Sequence, residues 1–156
     1  MGFVFDRCAT DIDLITHVIR QEELVMVMPP DHPLASSAFI KVQELAKESL
    51  VLTEEGCTYR GMLMEALRES GFAKRVACQF SNPEAIKSCV RCGLGVALLP
   101  IMTVERERKE GSLAAVPFHS DKPPFYIQLV YHKKKWLSPS MEWLIQSITS
   151  QKRGEL

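Results

Sequence analysis

The sequence predicts an α/β fold, and three observations carry that prediction. Short runs of strand length, rich in Val, Leu and Ile, recur along the chain; stretches of helical spacing sit between them; glycine or proline stands at most of the boundaries. With 156 residues, 46% of them hydrophobic and 24% charged, the chain can bury a sizeable core as one domain or two small lobes. Neither metal nor disulfide staples are needed at this length.

Residues 3–5 and 23–28 (ELVMVM) read as strands, the second stopped by Pro29 and Pro30. Between them, residues 11–21 fit either a helical turn or an extended segment, with Ile12, Leu14, Ile15, Val18 and Ile19 as apolar positions. Residues 29–33 (PPDHP) halt regular structure and turn the chain. Residues 41–47 predict a short helical turn and 49–53 (SLVLT) a third strand. Residues 54–58 form a loop in which Thr58 is placed to cap a helix over 59–70, with Met62, Leu63, Ala66 and Leu67 on its apolar face and Gly71 just past its end.

The pattern then repeats. Residues 76–80 are a strand, Ser81, Asn82, Pro83 and Glu84 combine a capping side chain with a proline suited to a first helical position, and 85–92 are a helix closed by Gly93. Residues 96–99 predict a buried strand, 102–109 a charged helix, 113–118 a strand and 120–124 a proline-bearing loop. Residues 125–131 (FYIQLVY) are the clearest strand. Ser138 and Pro139 open a last helix whose Met141, Leu144, Ile145 and Ile148 keep helical spacing.

Such alternation implies a largely parallel sheet, in which ligands sit beyond the carboxyl ends of the strands. The loops at 54–58 and 81–82 then put two helix N-termini on one side, each suited to a carboxylate or other small anion. In the first, Gly56 permits an unusual backbone angle, Thr58 offers a hydroxyl and Arg60 can pair with a carboxylate through two parallel hydrogen bonds. The same residues equally describe a capped helix with an exposed arginine.

Other function classes find little support. Lys+Arg and Asp+Glu both number 19, so no bulk basicity draws the chain to nucleic acid. The longest clean apolar run, residues 24–28, is far too short to span a bilayer, and Asp6 and Arg7 interrupt any signal-peptide pattern. No membrane partner and a cytoplasmic location are expected. Cys8, Cys57, Cys78, Cys89 and Cys92 share no framework spacing and are expected to be buried thiols in a reducing compartment. The Cys89/Cys92 pair lacks a second pair or nearby histidine, so neither a metal site nor a cofactor is expected. Gly93-Leu94-Gly95 lacks the third glycine of a dinucleotide fingerprint and reads as a helix-to-strand turn. Asp and Glu fall on expected polar faces or loops, and the run Lys133 to Lys135 before Trp136 reads as solvated. No nucleophile–base constellation appears, so no enzyme is expected.

The order of motifs carries a resemblance: Gly2-Phe3-Val4-Phe5, Glu23-Leu24-Val25-Met26-Val27, Asp31-His32-Pro33-Leu34-Ala35, the run Gly93 to Pro100 (GLGVALLP), and Leu137-Ser138-Pro139. As an ordered set over nearly the whole chain, it resembles the effector-binding domain of LysR-type transcriptional regulators. The resemblance implies a two-lobed fold like the type-2 periplasmic binding proteins, with lobe one incomplete. Residues 1–33 are then a remnant of lobe one, 34–124 lobe two, and 125–156 the return strand and C-terminal helix of lobe one. It assigns effector contacts to Gly56, Thr58, Tyr59, Arg60, Ser81 and Asn82, and an oligomer interface to Met62, Leu63, Ala66, Val76 and Cys78. The implied partners are a small anionic metabolite and further copies in a dimer or tetramer. DNA is reached only through a winged helix-turn-helix absent from these residues, as are the linker helix and the first strand and helix of lobe one. A transport-associated solute-binding module of the same fold is the alternative, disfavoured by the lack of an export signal.

Overall fold

A computed structural model describes residues 1–8, 11–72 and 75–151. Along the chain the strands are β1 (Gly2–Asp6), β2 (Leu14–Glu22), β3 (Leu24–Met28), β4 (Leu50–Thr53), β5 (Val76–Phe80), β6 (Ala97–Pro100), β7 (Ala114–Pro117) and β8 (Phe125–His132). The α-helices are α1 (Thr58–Glu69), α2 (Pro83–Arg91), α3 (Glu105–Glu110) and α4 (Pro139–Gln151). The chain divides into two compact units, Met1–Glu22 with Pro123–Leu156, and Glu23–Lys122.

In the second unit the uninterrupted apolar run of β3 is buried along its whole length, as a strand covered on both faces must be. It pairs antiparallel with β6 on one side and β7 on the other. A parallel bridge between Leu50 and Val96 joins β6 to β4, and β4 pairs in parallel with β5. So β4, β5, β6 and β7 share one direction and β3 runs against them. Val25, Val27, Val51, Ala97 and Leu99 meet Ile86 and Val90 of α2 in one cluster with Val104 and Leu113. The alternate strand residues, Met26, Met28, Leu50, Leu52 and Leu98, are buried on the opposite face.

In the first unit β8 is the central strand, with β1 and β2 antiparallel on its two sides. The largely parallel arrangement therefore holds for the strand directions of the second unit and not for the first. Gln128, buried in β8, satisfies its amide by donating to the carbonyls of Asp6 and Arg7, both at 3.0 Å. Met141, Leu144, Ile145 and Ile148 are half-buried on α4.

Several boundaries differ from those expected. The undecided stretch 11–21 is extended: β2 lies along β8 from Leu14 opposite His132 to Glu22 opposite Phe125. The expected helix 102–109 breaks into a 3-10 turn, Ile101–Thr103, and α3, because buried Val104 adopts φ −123° and donates to Ile101 instead of continuing a helix. The expected first boundary at residue 33 contrasts with a first unit ending at Glu22, since β3 is central to the second unit's sheet. Gly71 and Gly93 end their helices at φ 72° and 74°, as expected of C′ glycines, and Gly111 caps α3 at φ 70°.

Candidate functional site

The register of β4 on β5 sets Thr53 opposite Phe80, so loops 54–57 and 81–82 leave one edge of the sheet side by side. The first loop turns through Gly56 at φ 92°, a conformation open to glycine. It delivers Cys57, not Thr58, to the N-cap of α1: the helix begins at Thr58, and the Cys57 side chain makes no capping bond. The expected Thr58 cap is thus displaced by one residue, and Thr58 becomes an exposed residue of the first turn.

Arg60, two residues further on, folds back. Its Nη1 donates to the Thr53 carbonyl at 2.6 Å, and its Nη2 stands 3.6 Å from Glu55 Oε1. Glu55, Gly56, Cys57, Thr58, Arg60, Gly61 and Met64 line a hollow of about 490 Å³. No acidic residue lies in the first turn of α1. The positive end of the helix dipole and the guanidinium therefore add, with exposed Glu54 and Glu55 in the preceding loop set against them.

The neighbouring N-terminus is different. Asn82 Oδ1 accepts the Glu84 N–H at 2.8 Å, Pro83 opens α2 as expected, and Glu84 supplies a carboxylate in the first turn. Of the two N-termini, α1 remains electrostatically open and α2 is compensated. Of the six expected effector residues, Gly56, Thr58 and Arg60 meet in the hollow. Tyr59 turns inward and packs on the core cluster; burial, and then Cys57, raise its pKa, with Thr53 opposing them. Ser81 and Asn82 are exposed on the adjacent loop and do not line the hollow.

The expected interface residues also part company. Met62 and Leu63 are 3% and 0% exposed, which corrects their assignment to a surface: α1 turns them into its own core. Ala66 is half-buried, Val76 on β5 is exposed, and Cys78 is half-buried against the core. Burial, and next the adjoining Cys89 thiol, raise the Cys78 pKa. The expectation of buried thiols needs correction, because Cys8 and Cys92 are exposed and the other three half-buried; all five are free.

Sequence reasoning missed a buried ion pair. Lys87 Nζ lies 2.8 Å from Glu107 Oε1 and 2.7 Å from Glu84 Oε1, and donates to the Thr103 carbonyl at 3.0 Å. Glu107 is 1% exposed and carries a second oxygen with no partner. The Lys87 hydrogen bond, working against burial, holds the Glu107 carboxyl at about 2. Burial opposes the Lys87 charge, but Glu107 and Glu84 outweigh it and raise its pKa. The signal was present: Lys87 sits between Ile86 and Val90 on the apolar stripe of α2, where a solvated lysine is out of place. Among the described residues, no group of three or more His, Cys, Asp or Glu side chains could hold a metal ion, and no helix is long and apolar enough to cross a membrane.

Comparison with known proteins adds to this geometry. The family model of the LysR substrate binding domain matches residues 1–153. YwqM of Bacillus subtilis (strain 168), an uncharacterized HTH-type transcriptional regulator, is 36% identical over 143 residues, covering 92% of this chain and 48% of its own. The RuBisCO operon transcriptional regulator of Allochromatium vinosum is 33% identical over 132 residues, covering 83% and 43%. The chain thus spans about half the length of these curated relatives. Among solved structures, the regulatory domain of Synechocystis PCC6803 CcmR in complex with 2-PG matches with TM-score 0.84 at 21% identity, over 98% of this chain and 73% of that one. The effector binding domain of QuiR in complex with shikimate matches at 0.78 and 18% identity, over 99% and 73%. At these identities the structural likeness speaks for the fold.

Proposed function

Because the chain belongs to the LysR substrate-binding domain family, with the two-lobed α/β fold of type-2 periplasmic binding proteins, we propose that it senses a small anionic effector for a transcriptional regulator. In this reading the effector's negative group enters the hollow at the start of α1. The observation that carries it is the hollow at the start of α1, lined by Gly56, Thr58 and Arg60, with no acid in the helix's first turn and Arg60 anchored to the Thr53 carbonyl.

Thr53 holds Nη1 of Arg60 in place, so the guanidinium is oriented before ligand arrives, and Nη2 exchanges its loose Glu55 partner for the incoming anion. The first-turn amides and the Thr58 hydroxyl donate to the anion's remaining oxygens, each charge-assisted hydrogen bond contributing about 1.5–3 kcal/mol. Ser81 serves an effector that reaches past the hollow toward the end of β5. Asn82 and Tyr59 act indirectly, by capping α2 and by packing α1 on the core. The complexes of CcmR with 2-PG and of QuiR with shikimate support a binding rather than a catalytic role. Further copies of the chain are its protein partners, and contact with DNA falls to a helix-turn-helix part outside these residues, in keeping with zero formal net charge.

A thermal-shift screen of small organic acids tests this directly. At least one acid should stabilise the wild-type chain, by about 2.7 kcal/mol at a hundredfold excess over Kd, and Arg60→Ala should abolish that stabilisation. No stabilising acid, or an undiminished response in Arg60→Ala, would remove the basis for the site.

A further inference from the structure

The last residues of the second unit are fastened to one face of α1. Phe118 N–H donates to the Leu24 carbonyl at 3.0 Å and His119 N–H to the Ile40 carbonyl at 2.8 Å, which holds the start of the segment to the sheet edge. Beyond them the contacts move to the helix. The Ser120 hydroxyl donates to Met62 Sδ at 3.7 Å and accepts the Lys122 N–H at 3.2 Å. Lys122 Nζ is cradled by two carboxylates, 3.5 Å from Glu65 Oε2 and 3.3 Å from Glu69 Oε1. Residues 62, 65 and 69 succeed one another at three- and four-residue steps, so the segment runs along a single helical stripe. Lys122 is the final residue of this unit, and Pro123 and Pro124 follow it.

We propose that Ser120 and Lys122 are positioning residues that make α1 follow the chain where it leaves the second unit. The first turn of α1 carries the hollow with Thr58 and Arg60, and its later turns carry this strap. A tilt of the helix on anion binding is therefore handed to the crossover, and the reverse. That use rests on the sensing role proposed above; the fastening itself does not. Partly exposed ion pairs are individually weak, so the strap is strong enough to couple two segments and weak enough to yield.

Amide hydrogen exchange on the 156-residue chain without any effector tests the coupling. Lys122→Glu should speed exchange at 118–122 and at 65–70 together, by similar factors of about two- to tenfold. Lys122→Met, which removes the ammonium without adding a charge, should give the same pattern at smaller size. Exchanging the charges, Lys122→Glu with Glu65→Lys and Glu69→Lys, should restore both segments. A change confined to 118–122, no change in either variant, or failure of the exchanged pair to restore α1 overturns the proposal. Since no effector enters, such a failure leaves the sensing role standing, and a failed acid screen leaves the coupling standing.

Discussion

Lys87 and Glu107 show how much can hang on two side chains. Their ammonium and carboxylate lie 2.8 Å apart with side-chain exposures of 4% and 1%, and the pair ties α2 to α3. The Coulombic attraction offsets the desolvation of both groups only while both are present. Lys87→Met takes the buried ammonium from Glu107 and leaves its carboxylate the guanidinium of exposed Arg106, Nη2 at 3.0 Å; the unfolding free energy, read from urea denaturation, should fall by up to about 3–5 kcal/mol. Replacing both residues by apolar side chains should recover most of that loss. A single-variant loss near zero would mean that Arg106 or water holds the Glu107 charge without Lys87. Arg60 obeys a different logic: its anchor is a backbone carbonyl and its second partner an exposed glutamate, so truncation should cost binding more than stability.

At the scale of the element, α1 and α2 form a controlled pair. Both follow parallel strands at the same sheet edge, yet α2 has a capping side chain and a first-turn acid, and α1 has neither. A helix end without a capping side chain or a first-turn acid leaves room for added stability there, and in the proposed reading an anion takes that place. Cys57→Asp should therefore act in opposite senses on folding and binding. It should raise the stability of the free chain by about 0.5–1 kcal/mol and weaken the stabilisation conferred by any acid found in the screen. Stabilisation of the free chain with undiminished acid binding would separate the helix terminus from the site.

For the whole molecule the buried pair sets a pH signature. The folded Glu107 pKa of about 2 lies below its ordinary 4.5. Its contribution is therefore present above pH 4.5 and is lost as pH falls toward 2. Lys87 has the opposite sign: its pKa is raised above 10.5, so its contribution is present below that value and is lost as pH rises past the folded one. Denaturation midpoints should fall steeply between pH 4.5 and pH 2, and Glu107→Gln should flatten that fall while lowering stability at neutral pH. An unchanged acid profile in the variant would assign the acid sensitivity to other carboxylates.

What the residues determined by themselves is where most elements begin and end. Proline fixes φ, glycine opens the left-handed region, Asn82 caps its own helix, and β-branched runs favour extension; each effect acts within a few residues. The apolar run of β3 was legible for the same local reason, and the family resemblance because its motifs keep their order along the chain. Tertiary structure decided the rest. Residues 14–22 became a strand because β8 offered them a ladder across more than a hundred residues of chain. Thr58 lost the cap to Cys57, Tyr59 turned inward, and Met62 and Leu63 faced their own core once α1 had docked. Lys87 found Glu107 twenty residues away. Which charge is buried, which helix end stays open and which strand runs against its neighbours depend on partners brought together by the fold, and local spacing carries no record of them.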